Sequence, residues 1–262
     1  MEILLFLIAL IASLIGAITG IGGGVIVKPC VDLFNILPAQ KISFLSGCMV
    51  LSMVIVSLFR NRKSSVKIEY KILTPLAIGA AIGGIIGNII FKYINSSLGQ
   101  NSLVLFIQSA ILFVLVIFVF FYTIFLDKIT TYKITNAFII TIVGLMLGFC
   151  SSFLGIGGGP INLAILTILF SMSSKKTSIS SLFIILFSQT ANLLFSIFTN
   201  TIPSFEIAHL ILMIAGGILG GILGSNIFKR INDDVVLKLY KLLLIVIILI
   251  CMINMIRYGI VL

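Results

Sequence analysis

Apolar residues run along this chain in long blocks, and polar positions are confined mostly to the short gaps between them. The blocks read as Glu2 to Thr19, Val25 to Leu37, Ser43 to Phe59, Leu73 to Phe91, Leu103 to Leu126, Ile134 to Leu154, Pro160 to Phe170, Ile179 to Phe198, Ile207 to Phe228 and Leu239 to Val261. A helix of about 20 apolar residues crosses a hydrocarbon core about 30 Å thick, and most of the blocks have that length. Two do not: Val25 to Leu37 and Pro160 to Phe170 are too short to span. Each follows the same glycine cluster, GIGGG at Gly20 to Gly24 and again at Gly155 to Gly159. The pattern predicts an all-α, polytopic helical membrane protein with one glycine-broken segment in each of two halves.

The repetition extends beyond the glycines. An offset of 135 places Lys41 on Lys176, Ser43 on Ser178 and Ser46 on Ser181. An offset of 137 lays IGAAIGGIIGNIIFKYIN (Ile78 to Asn95) over AGGILGGILGSNIFKRIN (Ala215 to Asn232). Two homologous membrane repeats are expected, residues 1–130 and 131–262. In the second aligned stretch Gly79, Gly83 and Gly87 match Gly216, Gly220 and Gly224, a small-xxx-small spacing for close helix packing. The expectation is that these two ridged helices cross each other closely.

Composition narrows the class. Of 262 residues, 60% are hydrophobic and 9% are charged, too few charges to clothe a soluble domain, where about 25% is usual. The net charge of +10 therefore reports topology before it reports any nucleic-acid partner, because basic residues mark cytoplasmic loops. If each half makes four full crossings, the 17 basic residues split 8 to 9, which is no bias. If each glycine-broken segment dips in and returns, the second half is inverted. Arg60, Arg62, Lys63, Lys67, Lys71, Lys128, Lys133, Lys175, Lys176, Lys229, Arg230, Lys238 and Lys241 then share one side. Lys28, Lys41, Lys92 and Arg257 are left over, and the 13 to 4 division favours the inverted arrangement. Inverted repeats with broken helices are a transporter architecture.

Candidate chemistry follows from the breaks. Unwound backbone at membrane depth is tolerated only where it is buried in protein or lines a cavity. Each break also opens a new helix N-terminus, at Val25 and at Pro160, and free N–H groups at such an end favour an anion. The candidate binding residues are Gly22, Gly23, Gly24, Gly157, Gly158, Gly159 and Pro160, with Lys28 one turn past the first cluster and Asn162 and Gln189 as amide donors. Thr19, Ser46, Ser151, Ser152, Ser181, Ser188 and Asn192 offer further polar groups, though single serines serve more often as interhelical hydrogen bonds. Five acids, Glu2, Glu69, Asp127, Asp233 and Asp234, fall at loops or ends, leaving Asp32 and Glu206 near embedded segments. No carboxylate cluster is available for a metal, so neither a metal nor another cofactor is expected. Cys30, Cys48, Cys150 and Cys251 lack CxxC spacing, and His209 is the single histidine, which argues against a zinc site or an enzyme. The N-terminal block has no basic n-region and reads as retained structure.

GIGGG in the first half, GIGGGPIN at Gly155 to Asn162 and the paired glycine-ridge helices ending in IFK resemble the sulfite exporter TauE/SafE family, also called TSUP permeases. The likeness covers essentially the whole chain. It implies a multi-pass cell-membrane transporter, in the bacterial plasma membrane, that moves small anions such as sulfite or organosulfonates. A passive anion channel and a membrane subunit of a larger transport assembly stay open beside it. So do coupling to protons or sodium and a homo-oligomeric state.

Overall fold

The computed structural model describes residues 2–34, 37–62, 69–98, 101–126, 130–156 and 159–261. Among them the chain forms ten α-helices and no strand: α1 (Glu2–Thr19), α2 (Gly24–Phe34), α3 (Ala39–Asn61), α4 (Tyr70–Leu98), α5 (Asn101–Ile124), α6 (Ala137–Phe153), α7 (Pro160–Phe170), α8 (Ser174–Phe198), α9 (Ile207–Arg230) and α10 (Asp233–Val261). Seven of these are long and apolar enough to cross a membrane, whereas α2, α6 and α7 are shorter. Large apolar side chains cover the outside, with Val114, Phe118, Phe138 and Phe198 each at least 66% exposed. The interior holds Ser46, Gln108, Asn162, Gln189 and Asn192. Polar groups inside and hydrocarbon outside suit a bilayer and not water.

Local sequence sets several helix ends. Asn136 caps α6 by accepting from the N–H groups of Phe138 at 2.9 Å and Ile139 at 3.4 Å. Pro160 occupies the first turn of α7, where its missing N–H is no loss, and Ser171 ends that helix in the left-handed region. Gly20 and Gly155, equivalent at the offset of 135, have φ of +75° and +63°, so the two chain reversals need glycine for the same reason.

Contacts fix the helix directions. Along α9, Gly216, Gly220 and Gly224 meet in turn Phe6 and Ala9, then Leu10 and Ser13, then Leu14 and Ala17 of α1, so the two helices are parallel. Gly217 and Gly221 of α9 meet Met49 and Met53 of α3, and Arg60 donates to Asn226 Oδ1 at 2.8 Å, so α3 points the same way. The helices α4, α6 and α8 form a second parallel set: Gly79, Gly83 and Gly87 meet Thr141, Leu145 and Phe149, while Gly84 faces Ser188 and Lys92 reaches Ser196. Between the sets, Gly47 of α3 faces Gln189 and Leu193 of α8, whereas Leu58 packs against the cluster containing Ile179. Helices α3 and α8 are therefore antiparallel.

After α1 the chain doubles back. Gly16 packs on Gly22 and Gly23, Gly23 meets Ala12, and Gly24 lies against Val50, so α2 starts level with the middle of α1 and α3. It then runs beside the last turns of α10, where Asn254 donates to Pro29 O at 3.1 Å and Tyr258 to Asp32 O at 3.0 Å. The excursion α1–α2 thus begins and ends at the same end of the bundle.

The helix pairings repeat when α1–α5 are exchanged for α6–α10. The pair α1 and α9 corresponds to α6 and α4, α3 and α9 to α8 and α4, α2 and α3 to α7 and α8, and α2 and α10 to α7 and α5. The pairs α3–α8 and α5–α10 map onto themselves. One expectation is corrected by this packing. The glycine ridges of α4 and α9 do not meet each other; each receives the first helix of the other half, where a Cβ would collide with backbone. A ridge announces a close neighbour without specifying which, and the surfaces of α6 and α1 fill that role with Gly144 and Gly148 against Leu76 and Ala80, and with Ala9, Ser13 and Ala17.

Candidate functional site: a polar cavity open at one end

A cavity of about 530 Å³ enters the bundle at the end where α3 begins and α4 and α8 finish. Its walls come from α3 (Gln40, Ser43, Phe44, Gly47), α4 (Asn88, Phe91, Lys92, Tyr93), α8 (Gln189, Asn192, Leu193, Ser196) and Thr201, Ile202 and Pro203 ahead of α9. The second glycine break supplies Ser152 and Gly155. Gln40, Tyr93, Thr201 and Ile202 are exposed at the mouth, while Ser152, Gln189 and Asn192 are buried, so the cavity deepens toward the break.

Helical spacing builds the deep wall. Gln189, Asn192 and Ser196 follow one another at three and four residues, so α8 presents all three on one face. Asn192 Nδ2 donates to Ser152 Oγ, which ties α8 to the end of α6. Gly47 gives room for Gln189, since a Cβ there would stand 3.2 Å from Gln189 Oε1. On the lining residues, Ser43 Oγ, Asn88 Oδ1 and Asn192 Oδ1 are buried without a hydrogen-bond partner among the described residues. Buried polar groups are ordinarily satisfied, so a set of unpaired ones around a cavity marks where water or a polar ligand belongs.

Charge at the cavity is of one sign. Lys92 stands at the mouth, its Nζ donating to Thr201 Oγ1 at 2.5 Å and Ser196 Oγ at 3.3 Å. No Asp or Glu is among the described residues lining the cavity, and no group of His, Cys, Asp and Glu among the described residues could hold a metal. A second ammonium lies one layer behind the wall. Lys28 Nζ donates to Gln108 Oε1 at 2.6 Å and Leu154 O at 2.7 Å, and sits 5.4 Å from the centre of the Phe91 ring. A Cβ at Gly155 would meet Ser43 Oγ at 2.6 Å and Lys28 Nζ at 2.9 Å, so glycine at this point keeps the cavity floor thin over the charge.

The residues expected to bind are divided by the structure. Gln189 lines the cavity and Lys28 lies behind it. Gly22, with φ of +86°, Gly23 and Gly24 form the first reversal, where Gly24 packs on Ile156 O of the second break. Gly159 caps α7, Pro160 O accepts from Tyr240, and Asn162 Nδ2 donates to Ser181 Oγ at 3.1 Å. Gly157 and Gly158 lie outside the described residues. The two breaks therefore meet in the core, and the cavity touches them at Gly155. Sequence reasoning missed Asn88, Lys92, Ser43 and Gln108 as site residues. Asn88 and Lys92 stand one turn apart directly beside the glycine ridge, a polar pair in an apolar helix that could have been noticed.

A helical bundle with apolar side chains outward and a cavity lined in part by polar groups defines a multi-pass membrane protein. The chain belongs to the TauE/SafE family of sulfite exporters: the family model described as Sulfite exporter TauE/SafE matches residues 5–255. It is accordingly a membrane transporter. No curated protein and no solved structure matches it significantly.

Proposed function

We propose that the protein is a secondary transporter or facilitator of small anions, sulfur-containing ones such as sulfite or organosulfonates, in a bacterial plasma membrane. The observation that carries this is the donor set of the cavity: amides and hydroxyls from Asn88, Ser152, Gln189 and Asn192, a lysine at the mouth, a lysine behind the floor, and no carboxylate among the described lining residues. Amide and hydroxyl donors bind an oxyanion without the cost of burying a further charge. The Lys92 ammonium at the mouth supplies attraction, while that of Lys28 is offset in part by the buried Asp32 one turn along α2. No catalytic role is assigned to any residue.

The antiparallel course of α3 and α8 supports an inverted repeat of residues 1–130 and 131–262. In that arrangement Arg60, Arg62, Lys71, Lys133, Lys175, Lys176, Lys229, Arg230, Lys238 and Lys241 gather at the end opposite the cavity mouth. Basic loops face the cytoplasm, so the mouth faces outward. The packed cluster of Ile179, Phe228, Val236 and Leu58 at the end opposite the mouth favours a carrier over an open channel. Uptake of radiolabelled sulfite and sulfoacetate into liposomes holding the purified chain, with and without an imposed proton or sodium gradient, tests the assignment. Saturable flux supports it; flux no greater than in empty liposomes refutes it.

A further inference from the structure

The cavity has an image at the other end of the bundle. Under the offsets of 135 and 137, its wall residues Phe44, Leu193 and Phe91 correspond to Ile179, Leu58 and Phe228. Those three do not face a cavity. Ile179 and Phe228 form one packed cluster with Val236, and Leu58 closes on it. Three polar wall residues have polar images, Asn88 in Ser225, Asn192 in Ser57 and Ser196 in Asn61, whereas Gln189 and Ser152 correspond to Val54 and Ala17. Ser225 Oγ and both amide atoms of Asn61 are buried with no hydrogen-bond partner among the described residues, and Ser57 Oγ reaches the sulfur of Met53, at 3.7 Å. A wholly unpaired buried amide is unfavourable in a permanently dry interface.

Two serine hydroxyls of α8 reach the end of α1 here. Ser178 Oγ stands 3.0 Å from both Thr19 O and Ser174 O, its one hydrogen shared between them, and Ser181 Oγ donates to Gly20 O at 2.5 Å. The image of the first bond would join Ser43 Oγ to Leu154 O. It is not made: Ser43 Oγ has no hydrogen-bond partner among the described residues, and Leu154 O accepts from Lys28 Nζ at 2.7 Å instead. The residue equivalent to Lys28 is Leu163, which has no donor to offer Thr19 O. The same latch is thus closed in one half and open in the other, and Lys28 occupies the open one.

We infer that the packed end around Leu58, Ile179 and Phe228 is a second, collapsed anion cavity, lined by Asn61, Ser57 and Ser225, through which the transported anion reaches the opposite face. It opens when Ser178 releases Thr19 O, while Ser43 takes Leu154 O and closes the cavity at the mouth. The inference rests on the transport reading and adds to it the residues of the second half-pathway and the latch that separates the two.

The test uses the full chain with its four native cysteines replaced, carrying Asn61→Cys or Ser225→Cys, in right-side-out and inside-out membrane vesicles. The probe is a charged, membrane-impermeant maleimide, with sulfoacetate as the transported anion. The expected result is labelling from the basic face alone, accelerated at least tenfold by adding Ser178→Ala. Two positions are used so that a folding defect at one leaves the other to decide. If the parent chain carries sulfoacetate but both positions stay unlabelled with and without Ser178→Ala, the second cavity does not exist. Labelling from both faces at once also overturns it, since that describes a pore. If the parent chain carries neither sulfoacetate nor sulfite, the transport reading fails, and this inference fails with it.

Discussion

Lys28 Nζ lies 2.6 Å from Gln108 Oε1, and this contact joins the first broken helix to α5 across 80 positions of sequence. Gln108 Nε2 in turn donates to Phe153 O at 2.9 Å, so the same amide also holds the end of α6. The pair therefore connects the ammonium behind the cavity floor to α5 and to the end of α6, just ahead of the second break. A buried charge that keeps its hydrogen bonds is stable; one that loses a partner is not.

Replacing Gln108 by leucine should lower stability by about 2 kcal/mol, the size of a hydrogen bond to a charged group. Thermal unfolding in detergent measures it. The double variant Lys28→Met with Gln108→Leu should recover part of the loss, because an apolar pair leaves no unpartnered ammonium. Lys28→Met alone should retain the fold and lose transport.

The glycine ridges give a sharper contrast. A Cβ at Gly220 would stand 2.5 Å from Leu10 O, and one at Gly83 would collide with the backbone of Leu145. Gly83→Ala and Gly220→Ala should each destabilise by about 1–3 kcal/mol through forced helix separation. Gly47→Ala meets only the side chains of Gln189 and Leu193. It should unfold at nearly the wild-type temperature while weakening substrate affinity, because it displaces Gln189.

At the cavity itself, Gln189→Leu and Asn192→Leu remove donors from the deep wall. Loss of one hydrogen bond to a charged ligand corresponds to about tenfold in KM. Concentration-dependent uptake should show that rise with protein abundance unchanged.

Lys92→Gln should also raise KM, and it should flatten the dependence of uptake on ionic strength, since a half-buried charge at the mouth attracts anions from solution over about a Debye length. Lys92→Arg should retain both the affinity and the salt dependence. A KM equal to wild type in Lys92→Gln would remove this residue from the entry path.

Much of the fold is legible in the sequence because the bilayer imposes it. Helix lengths, the two short segments after the GIGGG clusters and the break at Pro160 follow from hydrocarbon thickness and backbone satisfaction. The partner of each glycine ridge is not legible, since small-xxx-small spacing describes a surface and not what rests on it. The cavity is less legible still. Its walls come from α3, α4, α6, α8 and the segment before α9, and Ser43 or Asn88 becomes informative only when those elements converge. Lys28 illustrates the division: its spacing from the glycines suggested a site, while its hydrogen bonds to Gln108 and Leu154 O depend on helices far away in the chain.

The central claim, that this chain carries small anions through a cavity whose deep wall is Gln189, Asn192 and Ser152, is tested most directly by sulfite and sulfoacetate uptake into liposomes containing either the wild-type protein or Asn192→Leu. Saturable uptake by the wild type and a rise of about tenfold in KM for the variant are expected. Wild-type uptake indistinguishable from empty liposomes, or identical KM values for the two proteins, would contradict it.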